Sequence, residues 1–144
     1  LKTLRDTTTE RIRELRQQRG MSQQGLVDRM RLLGSRLDRT AIAKIEKGTR
    51  DLTLLEAFQF AYALDVAPVH LFVPTDPDPD EEIALGPNVT APPAELRAWI
   101  RGFAPLLQDA RLYFTHVPKD EFDAAHADAW ERAAGIVVKT SPDE

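Results

Sequence analysis

Apolar residues recur at helical spacing through the first half of the chain. Over about 8–19, Ile12 and Leu15 stand three apart, and Gly20 closes the run. Ser22 is a natural N-cap for a second helix over about 23–32, where Leu26, Val27 and Met30 face inward. "LGSRL" then breaks the pattern at Gly34 and Ser35. A third helix follows in "DRTAIAKIEKG", residues 38–48, with Asp38 as its N-cap and Gly48 as its stop. Thr53 and Glu56 form a T-x-x-E capping box at the head of a fourth, over 54–64. Pro68, suited to a first helical position, opens a short fifth in "PVHLF". Residues 1–72 thus read as all helix.

The pattern changes in "VPTDPDPDEE", residues 73–82, which holds three prolines and five acids in ten positions. Proline withholds a helix hydrogen bond and like charges repel, so 75–82 read as an acidic linker joining a domain over 1–74 to a segment over 83–144. In that segment "IALGPNV" reads as a short strand. "AELRAWIRGF" reads as a helix with Leu96, Trp99, Ile100 and Phe103 along one side. "ARLYFTHV" reads as a strand, "KDEFDAAHADAWERAAG" as a helix and "GIVVK" as a final strand. The expected fold class is mainly α: a five-helix domain followed by a small α+β segment. The segment is short for a core of its own, so it is expected to pack on the helical domain or on a second chain.

Charge separates the two parts. Residues 1–74 carry 13 Lys and Arg against 9 Asp and Glu, a balance of +4; residues 75–144 carry 6 against 14, a balance of −8. A basic unit followed by an acidic one suggests an anionic partner for the first and not for the second. No run of eighteen apolar residues is present, so no membrane span is expected. The start lacks the apolar core of a signal peptide and the chain has no cysteine, which together give an expected cytoplasmic location without disulfides or thiolate metal sites.

The third helix has the most pointed distribution. On a helical wheel Ala41, Ile42 and Ile45 fall on one side, and Thr40, Ala43, Lys44 and Lys47 on the other. Arg39 stands at its N-terminus. Two helices joined by a turn, the second exposed, make a helix-turn-helix, whose second helix can enter a major groove.

"RIRELRQQRGMSQQGLVDRM…RTAIAKIEKGTRDLTLLEAFQFAYALDVAPVHLF" resembles the lambda-repressor-like, XRE-type helix-turn-helix family, over about residues 8–72. The resemblance rests on "LRQQRGMSQ", "TAIAKIEKG" and "ALDVAPVHLF" in that order and spacing. It implies that Arg39, Thr40, Ala43 and Lys44 face base edges. It implies backbone or bordering roles for Gln23, Asp38, Lys47, Thr49 and Arg50, and a structural ion pair between Arg16 and Glu46. The chemistry suits these types: arginine can read guanine through O6 and N7, and lysine offers a point charge to phosphate.

Three departures stand out. The turn between the second and third helices is about five residues longer than the family usually has, through "RLLGSRLD", so either the second helix gains a turn or the loop bulges. Arg36, in that turn, becomes a further candidate for phosphate. Gly25 replaces a usual helix former, at a cost of up to ~1 kcal/mol. Leu55 and Tyr62 sit seven apart where the family normally exposes its surface, and with Trp99, Phe103 and Trp130 they are candidate interface residues.

Catalytic and metal chemistry is poorly represented. Asp123 and His126 share a helix face, and His116 with Asp120 would have to complete a site; scattered surface residues account for them better. No nucleophile motif, phosphate-cradling loop or carboxylate pair stands out, so neither an enzyme nor a cofactor is expected. The expected function is a sequence-specific DNA-binding transcriptional regulator, acting on double-stranded DNA as a homodimer on a near-palindromic operator. Two alternatives remain. One is an antitoxin-like or adaptor module holding a protein partner; the other is a regulator gated by a small-molecule effector among the C-terminal aromatics.

Overall fold

A computed structural model describes residues 1–106 together with Tyr113, His116 and Pro118. The chain divides into two compact units, Leu1–Pro93 and Ala94–Glu144. The first holds β1 (Lys2–Thr3), α1 (Leu4–Gln18), α2 (Gln23–Arg31), α3 (Arg39–Glu46), α4 (Leu54–Ala63), α5 (Pro68–Phe72), β2 (Ile83–Gly86) and β3 (Val89–Ala91). A sixth helix, α6 (Pro93–Ile100), opens at its end. The described chain is therefore mainly helical, with one small sheet.

Helices α1 to α4 each begin where a side-chain oxygen can accept from an otherwise unpaired N–H, and α5 begins at Pro68, which has no N–H to satisfy. Ser22 accepts from Gly25 N at 2.9 Å, and Asp38 accepts from Ala41 N at 2.7 Å. Thr53 and Glu56 form the reciprocal box at α4. A second box, Thr3 with Asp6, starts α1 at Leu4, about a turn before the expected residue 8. The β-branched run Thr7, Thr8 and Thr9 obscured that start, since threonine disfavours helix. Their hydroxyls donate back to the Thr3, Leu4 and Asp6 carbonyls, and all three side chains are buried.

Burial opposes ionisation of Glu56, but hydrogen bonds from Arg50 and the Thr53 N–H outweigh it and hold its carboxyl below the ordinary 4.5. A group ionised more easily when folded stabilises the fold above its unfolded pKa and loses that contribution as pH falls through the folded one. Glu56→Gln is therefore expected to lower the melting temperature at pH 7. The gap to the parent should close as pH is taken below about 4, followed by circular dichroism. A gap that widens with acid would contradict the sign.

The core gathers Ile12 and Leu15 from α1, Leu26, Val27 and Met30 from α2, Ile42 and Ile45 from α3, and Phe60 and Leu64 around α4, with Leu37 and Leu71 at its margins. Removing such apolar surface from water is the main force holding short helices that would not persist alone.

The long turn is closed by a helix stop just past the end of α2. Gly34 N donates to Arg31 O and Ser35 N to Met30 O, the paired bonds of a Schellman stop, with Gly34 at a φ of 79°. α2 thus ends at Arg31, and Leu32 to Gly34 form a tight turn before the chain crosses to Asp38. Gly25 also has a local reason. A Cβ there would meet Met21 Cγ at 3.2 Å and the capping Ser22 Oγ at 3.3 Å.

Residues 1–72 are not all helix, as the sequence had suggested. Lys2 and Thr3 pair in parallel with Ile83 and Ala84. "IALGPNV" forms two strands, β2 and β3, paired antiparallel as a hairpin. β1 is two residues long and its partner lies some eighty positions away, so no local pattern announces it. The unit that contains the helices consequently runs past the acidic stretch to Pro93. In the second unit Leu96 is buried, Ile100 and Phe103 are half-buried, and Trp99 is exposed. Of the strand expected over 110–117 only Tyr113 and His116 are described, and Tyr113 is helical. The helix and strand expected beyond it, with Trp130, Asp120, Asp123 and His126, lie outside the described residues.

Candidate nucleic-acid interface

α3 is eight residues long and held from three sides. Asp38 caps its start, Ile42 and Ile45 are wholly buried, and Gly48 ends it. At that end Gly48 N donates to Ile45 O and Thr49 N to Lys44 O, with Gly48 at a φ of 73°. Only glycine takes this backbone without cost, so the helix stops there and the chain turns away.

Glu46 fixes the helix against its neighbours. It is 8% exposed and receives Arg16 Nε at 2.6 Å and Nη2 at 3.1 Å. Gln23 Nε2 donates to the same carboxylate at 3.1 Å, and Arg16 Nη1 donates to Met21 O at 2.8 Å. One carboxylate thereby joins α1, the start of α2 and the end of α3. The pairing of Arg16 with Glu46 is the one the family resemblance implies. Gln23 is its third member, and in the free protein its amide nitrogen is committed there instead of lying open to a phosphate.

What remains outward is polar or small. Arg39, Thr40, Lys44 and Lys47 are exposed and Ala43 is half-buried. Thr40, Ala43, Lys44 and Lys47 occupy the side of α3 opposite Ile42 and Ile45, and Arg39 flanks that side at the helix N-terminus. Arg36 is exposed just ahead of the cap. Thr49 donates its hydroxyl to Lys44 O at 3.2 Å. Arg50 is turned toward Glu56, with Nη1 and Nη2 at 3.2 and 3.3 Å from its oxygens, so much of its charge is satisfied inside the protein. Arg39 and Lys44 could offer directional donors, and Lys47 and Arg36 point charges.

Residues 12–71 match the family model described as Helix-turn-helix. This segment is a lambda-repressor-like helix-turn-helix domain. In the helix-turn-helix domain α2 and α3 are the paired helices, and α3 is the second of them. The family is DNA-binding, and the match supports a DNA-binding transcription regulator. Comparison with curated proteins and with solved structures returned no match. Among the described residues no helix is long and apolar enough to cross a membrane, and no group of three or more His, Asp or Glu could hold a metal ion.

Leu55 and Tyr62 are both exposed on α4, and Trp99 is exposed on α6 with Phe103 half-buried beyond its end. Sequence reasoning missed Leu32, Leu54 and Phe58, which are exposed as well. A wheel of α4 carries the signal for the last two: Leu54, Leu55, Phe58 and Tyr62 fall on one side and the buried Ala57, Phe60 and Ala61 on another. Large apolar residues are easily assigned to a core, and α4 has too many for one core face.

Proposed function

We propose that this protein is a sequence-specific transcriptional regulator that reads the major groove of duplex DNA through α3. Arg39, Thr40, Ala43 and Lys44 face the base edges, with Ala43 set flat against the groove floor. Lys47 and Arg36 carry phosphate contacts, and Gln23, Asp38, Thr49 and Arg50 border the surface. The observation that supports this reading most is the exposed polar face of α3 on the second helix of a matched helix-turn-helix. Its rear is locked to the core by Ile42, Ile45 and Glu46. A rigid support is what base reading needs, because hydrogen bonds to bases are directional.

One such domain touches few base pairs. The protein therefore acts as a homodimer on a near-palindromic operator with half-sites about one helical turn apart. The basic domain over 1–74 does the gripping, and the residues beyond the acidic linker 75–82 serve partner binding or add to a dimer contact made by the domain itself. The acidic balance of that later part argues against its touching DNA. The work is cytoplasmic and calls for no cofactor.

Selection of the full chain against random duplexes tests the reading. A two-armed motif is expected, bound by two chains as judged by the mass of the complex. Affinity for it should fall steeply with salt, by a factor of about ten per tenfold salt for each phosphate neutralised. Recovery of unrelated sequences at low salt would sink the proposal.

A further inference from the structure

α4 is amphipathic in an unusual way, with apolar residues on both sides. Its inner side buries Ala57, Phe60 and Ala61, while its outer side exposes Leu54 at 76%, Leu55 at 67%, Phe58 at 48% and Tyr62 at 76%. Leu32, just past the end of α2, is 88% exposed and lines the same hollow as Tyr62. Phe58 is held edge-on to Phe72, with centroids 6.0 Å apart, so the patch is partly ordered in advance.

We infer that this α4 face is where a second copy of the chain docks. The inference rests on the homodimer reading above and names the surface that would serve it. Three observations favour a second copy over another occupant.

Area comes first. The five side chains together expose on the order of 600 Å², at the upper end for a patch on a monomer and close to the ~800 Å² that each partner gives to a stable interface. Charge comes second. The only charged residue of α4 is Glu56, which is engaged by Arg50 at 3.2 Å. Two copies of a domain rich in basic residues would repel through most of its surface, but not through this side. The charges that border this side are mixed, Arg29 with Asp65 near Tyr62 and Arg36 and Arg50 with Glu56 near Leu55, so it favours no strongly charged partner of one sign. Shape comes third. The hollow beside Tyr62, about 600 Å³ and lined by Leu32, Ala61 and Val66 together with Arg29 and Asp65, lies on the same surface as the projecting Tyr62 and Leu55. Knob and hollow on one surface are what a two-fold pairing requires, since each copy offers the same patch. Crossing two α4 helices about such an axis sets the Tyr62 end of one by the Leu55 end of the other, with Phe58 near the centre.

The chain has no cysteine, which makes the test clean. Leu55→Cys and Phe58→Cys, each in the full chain, should give a disulfide-linked dimer on mild oxidation. Gln17→Cys, on the exposed side of α1, should not. Sedimentation of the parent should show a dimer, and Leu55→Glu with Tyr62→Glu should weaken it at least ~100-fold. Each chain should keep its helical circular dichroism, because both positions face solvent in the single chain, while the melting temperature falls with the lost dimer. A parent dimer that survives the two glutamates unchanged, with neither cysteine cross-linking, overturns the inference and leaves the homodimer standing through residues 83–144. A parent that stays monomeric with and without its selected duplex overturns both.

Discussion

Replacing Arg39 and Lys44 together by alanine should abolish operator recognition while leaving the fold intact. A well-placed bidentate contact to a base is worth about 1–3 kcal/mol, so each single change is expected to cost roughly 10- to 100-fold and the pair about 10²- to 10⁴-fold. The loss should fall on the selected duplex far more than on a scrambled one, because base contacts carry specificity and phosphate contacts carry affinity. Stability should move by less than about 0.5 kcal/mol, since both side chains are exposed and alanine suits a helix. Anisotropy titration of both duplexes, with a thermal melt of each variant, separates the two effects. Undiminished discrimination by the double variant would remove Arg39 and Lys44 from the base-reading role.

Arg16→Ala should produce the largest loss of stability among the charged positions, about 3 kcal/mol or more. The reason is the carboxylate left behind. Glu46 has 4% of its side chain exposed, and of its three donors it would keep only Gln23. A buried charge without its partner bears its full desolvation cost, while the Met21 carbonyl also loses a donor. For a unit of this size such a loss lowers the melting temperature by roughly 10–20 °C. The surface pairs provide the contrast. Lys2 with Glu10 and Arg5 with Asp51 are each about half exposed or more. Solvent screens them, so Arg5→Ala should cost less than about 1 kcal/mol. Joint replacement by Arg16→Met and Glu46→Leu should recover much of the stability, because no charge is then stranded. A denaturant melt of the parent and all three variants checks the order. Equal losses for Arg16→Ala and Arg5→Ala would contradict the brace, and DNA binding by Arg16→Ala at low temperature would show how far α3 depends on it.

Much of this was legible in the chain, for identifiable reasons. Helices α2 to α5 start at Ser22, Asp38, Thr53 and Pro68, and stop signals such as Gly20 and Gly48 follow where local geometry demands them. Caps act over three or four residues, so a sequence displays them directly. α1 was found but begun late. Its first turn is written in threonines, and only the Thr3–Asp6 box, a short-range signal passed over, marks the start. β1 could not be read, because two residues pairing with a strand eighty positions away leave no periodicity. The turn of 31–38 was legible as a choice between a longer helix and a bulge; α2 ends at Arg31 and the bonds at Gly34 close a turn beyond it. At the site, the wheel of "DRTAIAKIEKG" separated the buried isoleucines from the outward Arg39, Thr40 and Lys44. The partnership of Arg16 with Glu46 came from resemblance alone. The place of Gln23 beside them, and the turning of Arg50 to Glu56, depend on side-chain geometry that spacing does not encode.

The central claim is that α3 reads the major groove, and modified bases test it most directly. Guanines of the selected duplex are replaced in turn by 7-deazaguanine, which lacks the major-groove N7 acceptor, and by inosine, which lacks the minor-groove amino group. The parent protein is expected to lose about tenfold or more in affinity at one or two guanines on the first replacement and little on the second. Arg39→Ala should no longer register the same 7-deazaguanine. Sensitivity to inosine with indifference to 7-deazaguanine would place the protein in the other groove and contradict the account.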